Sequence, residues 1–189
     1  DRAALPGRVQ WRLQPAWLGL RGALAADCCT AQPLRWQARI ARGGGTLALA
    51  DGASRWPAAL LMGLGTPWNT LAPQGQLALS TQDLRARWAE GRLQVDGTAR
   101  LEALRMSSRL STLQPMGSYR ITMQGGAATT LRLETIEGAL LLSGSGQWVG
   151  SRLHFGGEAS AAPGREAALS NLLNIIGRRQ GARSRISIG

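Results

Sequence analysis

Only a few residues of this chain have the types and spacing that chemistry requires. The single histidine, His154, lies beside Phe155 in a stretch predicted as a strand. Ser-His-Asp catalysis would need it, but no Gly-x-Ser-x-Gly turn is present to carry the nucleophile. The acidic residues are scattered singly, and no Gly-x-Gly-x-x-Gly leads from a strand into a helix. The sequence therefore predicts no catalytic residue, no cofactor and no enzymatic activity.

The two cysteines, Cys28 and Cys29, are adjacent in the chain. Adjacent cysteines with one distant histidine do not give the ligand spacing of a zinc site, so no metal centre is predicted. In an oxidising compartment the pair can close into a vicinal disulfide, and two free thiols or links to another chain are the alternatives. We expect structural consequences only.

The basic residues are all arginine: the chain has 22 and a net charge of +11. Without lysine there can be no P-loop lysine and no Schiff base. Such a positive charge makes nucleic acid and an anionic membrane surface the partners to consider. Most arginines, however, alternate with apolar residues, as Arg8 and Arg12 do with Val9 and Trp11, which is typical of the wet faces of strands. We therefore predict no nucleic-acid binding.

One dense basic group remains near the C-terminus. It is formed by Arg178, Arg179, Arg183 and Arg185. This group is the candidate interaction site of the sequence, because it could meet an acidic partner or phospholipid headgroups.

Alternating apolar and polar residues predict the strands that must position these side chains. Short connections favour a meander, in which sequence neighbours pair in space. The predicted strands are Arg8–Leu13 (ended by Pro15), Leu18–Leu24, Leu34–Ile40, Thr46–Ala50, Gly75–Thr81, Leu84–Trp88, Arg92–Leu104, Ser118–Met123, Thr129–Thr135, Gly138–Trp148, Arg152–Ala159 and Arg183–Ile188, with Ile186 and Ile188 directed inward.

Two stretches predict helices that cover the sheet. The first is Ala58–Leu64, capped by Ser54 or Arg55 and started by Pro57. The second starts at Pro163 and stops at Gly177. Its apolar residues have the i, i+3, i+4, i+7 spacing of one helix face: Leu169, Leu172, Leu173 and Ile176. The seven tryptophans are predicted to be the main large aromatic residues of the core.

A loop motif occurs twice, as Leu71–Gly75 and as Leu113–Gly117. In each copy a Pro-x-Gly turn leads into an alternating stretch, which suggests a duplicated β-rich element. We expect the two loops to place equivalent strands in one sheet, with Trp68 and Tyr119 packed near them. The predicted organisation is a single β-rich domain over 1–189, with duplicated halves around 8–81 and 91–188.

The predicted fold is mainly β. It is a strongly curved antiparallel meander sheet, an open barrel or sandwich-like, with a short central helix and a C-terminal amphipathic helix. No apolar run approaches the ~20 residues of a membrane span. Because the chain does not begin with Met, we expect a longer protein from which a leading anchor or signal segment was left out.

Three further stretches of the chain are distinctive: Gly63–Gly75, Ser108–Arg120 and Pro163–Gly181. In that order along the chain, they resemble a known family, the type II secretion system protein N. The similarity covers most of the chain from Leu34 onward. The family has no known catalytic residues, so none is carried over, and the adjacent cysteines are not part of its pattern.

The resemblance implies the periplasmic domain of a single-pass inner-membrane protein, whose N-terminal span is absent from this chain. It implies a non-enzymatic module that links the inner-membrane platform proteins to the outer-membrane secretin, with homo-oligomerisation left open. The alternative is a periplasmic carrier of lipid or another apolar ligand. In that case a curved sheet lidded by Trp56–Leu64 and Leu169–Ile176 would form a concave apolar site.

Overall fold

A computed structural model describes residues 7–66, 68–150 and 152–189. Two α-helices, α1 (Trp68–Leu71) and α2 (Glu166–Ile176), and a 3₁₀ segment (Ala58–Leu64) accompany the strands. The strands are β1 (Val9–Ala16), β2 (Gly19–Ala26), β3 (Leu34–Ala41), β4 (Gly44–Leu49), β5 (Gly52–Pro57), β6 (Gln74–Ala89), β7 (Arg92–Ser107), β8 (Gly117–Gln124), β9 (Thr130–Gly138), β10 (Leu140–Val149), β11 (Arg152–Ala161), β12 (Arg178–Gln180) and β13 (Arg183–Ile188).

These strands form one antiparallel sheet that is not closed into a barrel. Its order is β1-β2-β3-β4-β6-β7-β8-β9-β10-β11-β13-β12, and β5 pairs with β6 beside this path. Almost every strand therefore lies next to its neighbour in sequence, as short connections require. The predicted mainly-β, antiparallel meander fold is confirmed.

The sheet has an apolar face and a polar face. The register places Trp36 beside Leu49, and Leu47 beside Ala86, so these side chains share the first face. On the other face Arg120 lies between Glu102 and Glu134, and its guanidinium binds both carboxylates at 2.9 and 3.1 Å. Alternation along the strands, shifted by one residue at an irregularity within β6, sends most apolar residues of the sequence to the same side.

Helical segments cover the apolar face over β6–β11 and β13. Leu169, Leu172 and Leu173 of α2 are at most 1% exposed and pack against Leu140 of β10. The hydroxyl of Ser184 on β13 donates to the carbonyl of Leu173 at 2.6 Å, which satisfies a polar group inside this core. The predicted amphipathic helix and its buried face are confirmed.

The first predicted helix differs in detail. Ser54 and Pro57 belong to strand β5, so neither Ser54 nor Arg55 caps a helix. The residues that follow form a 3₁₀ segment, and Ala58 is its buried anchor in the core. Proline at position 57 suits the start of a helix. Residues 52–57 nevertheless form a strand, because pairing with β6 gives their backbone N–H and C=O groups hydrogen-bond partners that a short helix would lack.

Other predicted boundaries also move. Pro15 does not end β1, since an edge strand tolerates a residue without an N–H. The predicted strands Gly75–Thr81 and Leu84–Trp88 are one strand, β6, with a β-bulge beside Asp83, whose φ is 50°. The C-terminal helix starts at Glu166, three residues after Pro163.

The prediction for the tryptophans is wrong. None of the seven is buried, and Trp11 and Trp17 are 71% and 91% exposed. The buried aromatic residues are Tyr119 and Phe155. The prediction that Ile188 points into the core is also wrong, because it is 52% exposed at the end of β13, beyond the reach of α2. The core is therefore built mainly from aliphatic side chains, together with Met106, Met116 and Tyr119.

The two repeated loops lead into β6 and β8, which belong to the same sheet and are separated by β7. Arg109, just before the second loop, donates to the carbonyls of Asn69 and Thr70, so the two regions touch. Tyr119 is buried as expected, whereas Trp68 is 36% exposed. The duplication itself stays a prediction.

Candidate functional site

The predicted arginine group lies on the hairpin of β12 and β13, at one edge of the sheet. Arg178 pairs with Arg185 and therefore shares its face, and Arg183 follows on the same face two residues away. Arg179 pairs with Ser184, so it lies on the opposite face. The structure thus splits the group between the two faces of the sheet.

Part of this charge is already matched within the chain. Arg183 forms an ion pair with Glu158 of β11 at 3.1 Å. The guanidinium of Arg179 donates to the carbonyl of Gly181 at 2.7 Å, within the turn of the hairpin. Arg178 and Arg185 continue the charged row formed by Glu102, Arg120 and Glu134. Their role as an interaction site remains a prediction.

The residues considered for chemistry are dispersed. His154 is exposed on β11, opposite Gln147 of β10. The hydrogen bonds with Glu102 and Glu134 raise the pKa of Arg120, so this arginine serves as a fixed charge between strands. Within residues 7–66, 68–150 and 152–189, no group of three or more potential ligand residues could hold a metal ion.

Cys28 and Cys29 form a vicinal disulfide in the turn between β2 and β3. Of the alternatives left open by the sequence, the structure contains the disulfide. Cys29 is 6% exposed, and its carbonyl accepts the N–H of Arg55 on β5 at 2.8 Å. The turn thereby joins the first hairpin to β5, which is a structural role.

A trough of uncovered apolar surface, about 520 Å³ in volume, lies on the apolar face between β3 and β8. No helix of the described chain packs over it, since the core beneath α2 and the 3₁₀ segment lies farther along the sheet. We call it the apolar trough. It is lined by Trp36, Leu47, Leu49, Leu84, Ala86, Val95 and Met123.

Glycines let the tryptophans lie flat along this surface. The indole of Trp36 covers Gly22 of β2, and the indole of Trp88 covers Gly45 of β4. A side chain at either glycine would occupy the position of the ring. Aromatic residues thus shield neighbouring strand glycines instead of entering the core.

The reverse face of the same strands is basic. A concave surface of about 710 Å³ there has small residues such as Ala23 and Ala48 at its centre, and Asp51 and Asp83 at its margin. Among the described ion pairs none involves its arginines, which come from β1, β2, β3 and β6. They are Arg12, Arg21, Arg35 and Arg85.

The first strand is an edge of the sheet. Among the residues that the structure describes, β1 pairs only with β2, and all eight of its residues are in register. Two observations show that the even-numbered residues of β1 form the backbone hydrogen bonds to β2. The strands are joined by the two-residue turn Trp17–Leu18, and the N–H of Asp27 donates to the carbonyl of Arg8. The N–H and C=O groups of Val9, Trp11 and Leu13 therefore point outward and are open to another strand.

Sequence reasoning missed the apolar trough, although a signal for it was available. The sequence predicts twelve strands with apolar faces but only two short helices to cover them. A helix covers a strip only ~10 Å wide, about two strands at ~4.8 Å spacing. Much of the apolar face therefore had to remain open, and the tryptophans at alternating positions had to be on it.

The described helices are all too short or too polar to cross a bilayer. Fold and surfaces together define an open-sheet protein with large uncovered surfaces. The chain belongs to the type II secretion system protein N family, whose family model matches residues 1–187. It is therefore a component of the type II protein secretion machinery. No curated protein and no solved structure matched it.

Proposed function

We propose that this chain is a periplasmic assembly module that links the inner-membrane platform proteins to the outer-membrane secretin. Membership of the type II secretion system protein N family supports a non-enzymatic role in that machinery. The single observation that carries the linking role is the open edge of β1, because an unpaired strand edge is a ready template for a strand from a partner.

The geometry of β1 limits what a partner strand can do. Pro15 has no N–H, so added pairing would run along Val9–Leu13, where alternate residues present their backbone groups. The side chains of Gln10, Arg12 and Gln14 flank this strand on the polar face. A partner with acidic side chains at every second position would therefore complement the basic surface beside it.

A capture experiment tests this proposal. The purified chain is incubated with the periplasmic domains of the secretin and of each platform protein. Leu13→Pro removes an outward N–H but leaves the bonds to β2, so it should abolish capture, while the matched Leu13→Ala should retain it. Capture of neither domain by the unchanged chain would remove the assembly role. Equal capture by both variants would show that β1 is not the contact.

The apolar trough favours a second candidate function, binding of a lipid or another apolar ligand. Its volume is within the ~300–1,000 Å³ of small-molecule sites, and its lining is apolar. The site predicted beneath the two helical segments is instead a packed core, so the ligand would lie beside it on β3–β8. Native mass spectrometry should show a bound mass that Ala86→Trp displaces. An unoccupied chain after extraction from cells would argue against carriage.

A further inference from the structure

Three hairpin turns meet at one end of the sheet and form a continuous rim. Gly19 of β2 pairs with Arg39 of β3, and Gly44 of β4 pairs with Ala89 of β6, so the turns β1–β2, β3–β4 and β6–β7 lie side by side. Backbone bonds from Ile40 to Leu18 and from Glu90 to Gly43, both 3.4 Å, connect them. We call residues 16–19, 39–44 and 88–93 the hairpin rim.

The hairpin rim carries large apolar side chains in solvent. Trp17 and Leu18 form the first turn and are 91% and 74% exposed, and Ile40 beside them is 68% exposed. Trp88 and Leu93 are cross-strand partners at the third turn and are also exposed. Contiguous exposed apolar surface marks interaction sites, so these neighbouring side chains indicate an external apolar contact.

Arginines are interleaved with these apolar residues. Arg39, Arg42 and Arg92 are exposed, and no described carboxylate forms an ion pair with them. Glu90 is the single acidic residue of the hairpin rim. Tryptophan beside arginine is the composition of protein segments at the bilayer interface, where the indole sits among headgroups and the guanidinium binds anionic phosphate.

The charge of the hairpin rim favours an anionic membrane over a protein partner. Its three arginines lie among apolar side chains on neighbouring turns. Apolar turns can insert into a bilayer individually, and each arginine then adds its own headgroup contact.

We propose that the hairpin rim docks this protein on the surface of a bilayer containing anionic phospholipid. Trp17, Leu18 and Ile40 enter the interface, and Arg39, Arg42 and Arg92 bind headgroup phosphates. This contact uses the turns of the sheet, whereas partner capture uses the β1 edge, so the two can fail independently.

Vesicle co-sedimentation tests the proposal. The purified chain should bind vesicles of phosphatidylcholine with phosphatidylglycerol and bind phosphatidylcholine alone much more weakly. Trp17→Ser with Leu18→Gly removes the apolar turn and suits the φ of 60° at residue 18, so the hairpin is kept. This variant and Arg39→Ala/Arg42→Ala/Arg92→Ala should each lose at least about tenfold in affinity. Thermal unfolding verifies that both remain folded.

Matched variants elsewhere separate docking from general attraction. Trp68→Ser removes an exposed tryptophan of α1, and Arg100→Ala/Arg105→Ala/Arg165→Ala removes three exposed arginines that lie outside the hairpin rim. Both should bind like the unchanged chain. An equal loss in the two arginine variants would overturn the proposal in favour of diffuse charge attraction.

Fluorescence quenching measures whether Trp17 inserts into the bilayer. Brominated acyl chains should quench the fluorescence of the unchanged chain, and Trp17→Phe should reduce that quenching while preserving binding. Failure of the folded, unchanged chain to bind anionic vesicles would overturn the proposal. A second result would also overturn it. If the chain does not bind vesicles and the hairpin-rim variants no longer capture a secretion-system protein, the hairpin rim contacts a protein and not a membrane.

Discussion

The indole of Trp36 on β3 lies directly over Gly22 of β2, and Gly22 is buried beneath it. The position of a Cβ at residue 22 is already occupied by ring atoms of Trp36. Trp36 also lines the apolar trough, so this one contact fixes the shape of a wall of that surface. The glycine and the tryptophan are 14 residues apart but form a directly paired position in the register.

Gly22→Ala should therefore displace the Trp36 ring and lower the free energy of unfolding by about 1–3 kcal/mol, as overpacking does. Denaturant unfolding followed by circular dichroism gives the loss, and a changed tryptophan emission reports the moved ring. Gly156→Ala is the matched strand control, because nothing lies within 4 Å of a Cβ built there. Similar losses in the two variants would mean that contact with Trp36 is not the cause.

Tyr119→Phe should stabilise the protein. The Oη of Tyr119 is buried, and no hydrogen-bond partner for it exists in the described part of the chain. An unsatisfied buried hydroxyl costs about 1–3 kcal/mol, so removing it should raise the free energy of unfolding by about 1 kcal/mol. Chemical denaturation at neutral pH measures this. A clear loss of stability instead would show that the hydroxyl has a partner.

The same residue should govern the stability at high pH. Burial raises the pKa of Tyr119 above its ordinary 10.0, so above pH 10.0 the unfolded chain loses a proton that the folded chain keeps. Stability is then complete below pH 10.0 and falls above it by about 1.4 kcal/mol per pH unit. With one tyrosine and no lysine in the chain, Tyr119→Phe should abolish this fall. An unchanged alkaline transition in that variant would contradict the assignment.

Leu173→Ala should cost about 2–5 kcal/mol, because the side chain is fully buried between α2 and the sheet and its loss leaves a cavity. Ile175→Ala, two residues away on the same helix but 45% exposed, should cost much less. Thermal unfolding of the pair measures the difference. Equal shifts would indicate that loss of helix propensity, and not packing, is being measured.

Removing the disulfide should change stability little. Cys28 and Cys29 are adjacent, so their bond closes almost no chain and restricts the unfolded state only locally. Cys28→Ser/Cys29→Ser should unfold near the temperature of the oxidised parent, and a reductant should not shift the parent strongly. A large drop would show that the turn depends on the bond to keep its hydrogen bond with Arg55.

Much of the fold is predictable because alternation reports directly on strand faces. β3 matches its predicted span within one residue, and the helical period of Leu169, Leu172 and Leu173 gives α2 correctly. Strand β5 (Gly52–Pro57) was missed because Pro57 is a strong local helix-start signal, whereas the pairing of this strand with β6 is a contact between residues distant in sequence. The three-residue β12 is too short to show any period.

The candidate surfaces were harder to predict for a different reason. Alternation shows that Trp36 and Leu47 share a face, but not whether anything covers that face. Coverage depends on where α2 packs, which is decided by contacts between residues far apart in sequence. The arginines at 178–185 were found as a sequence cluster, yet their division between two faces follows only from the register of a hairpin.

The position of α2 near the C-terminus determines when the core can close. Strands β6–β11 precede it in the chain, so during synthesis Leu101, Leu133 and Leu142 emerge from the ribosome before the helix that packs over them. Until residues 166–176 have followed, these core residues are covered only by the 3₁₀ segment, which precedes β6 in the chain. The part of the core beneath α2 is therefore protected from aggregation in one late step, and not gradually as each strand is added.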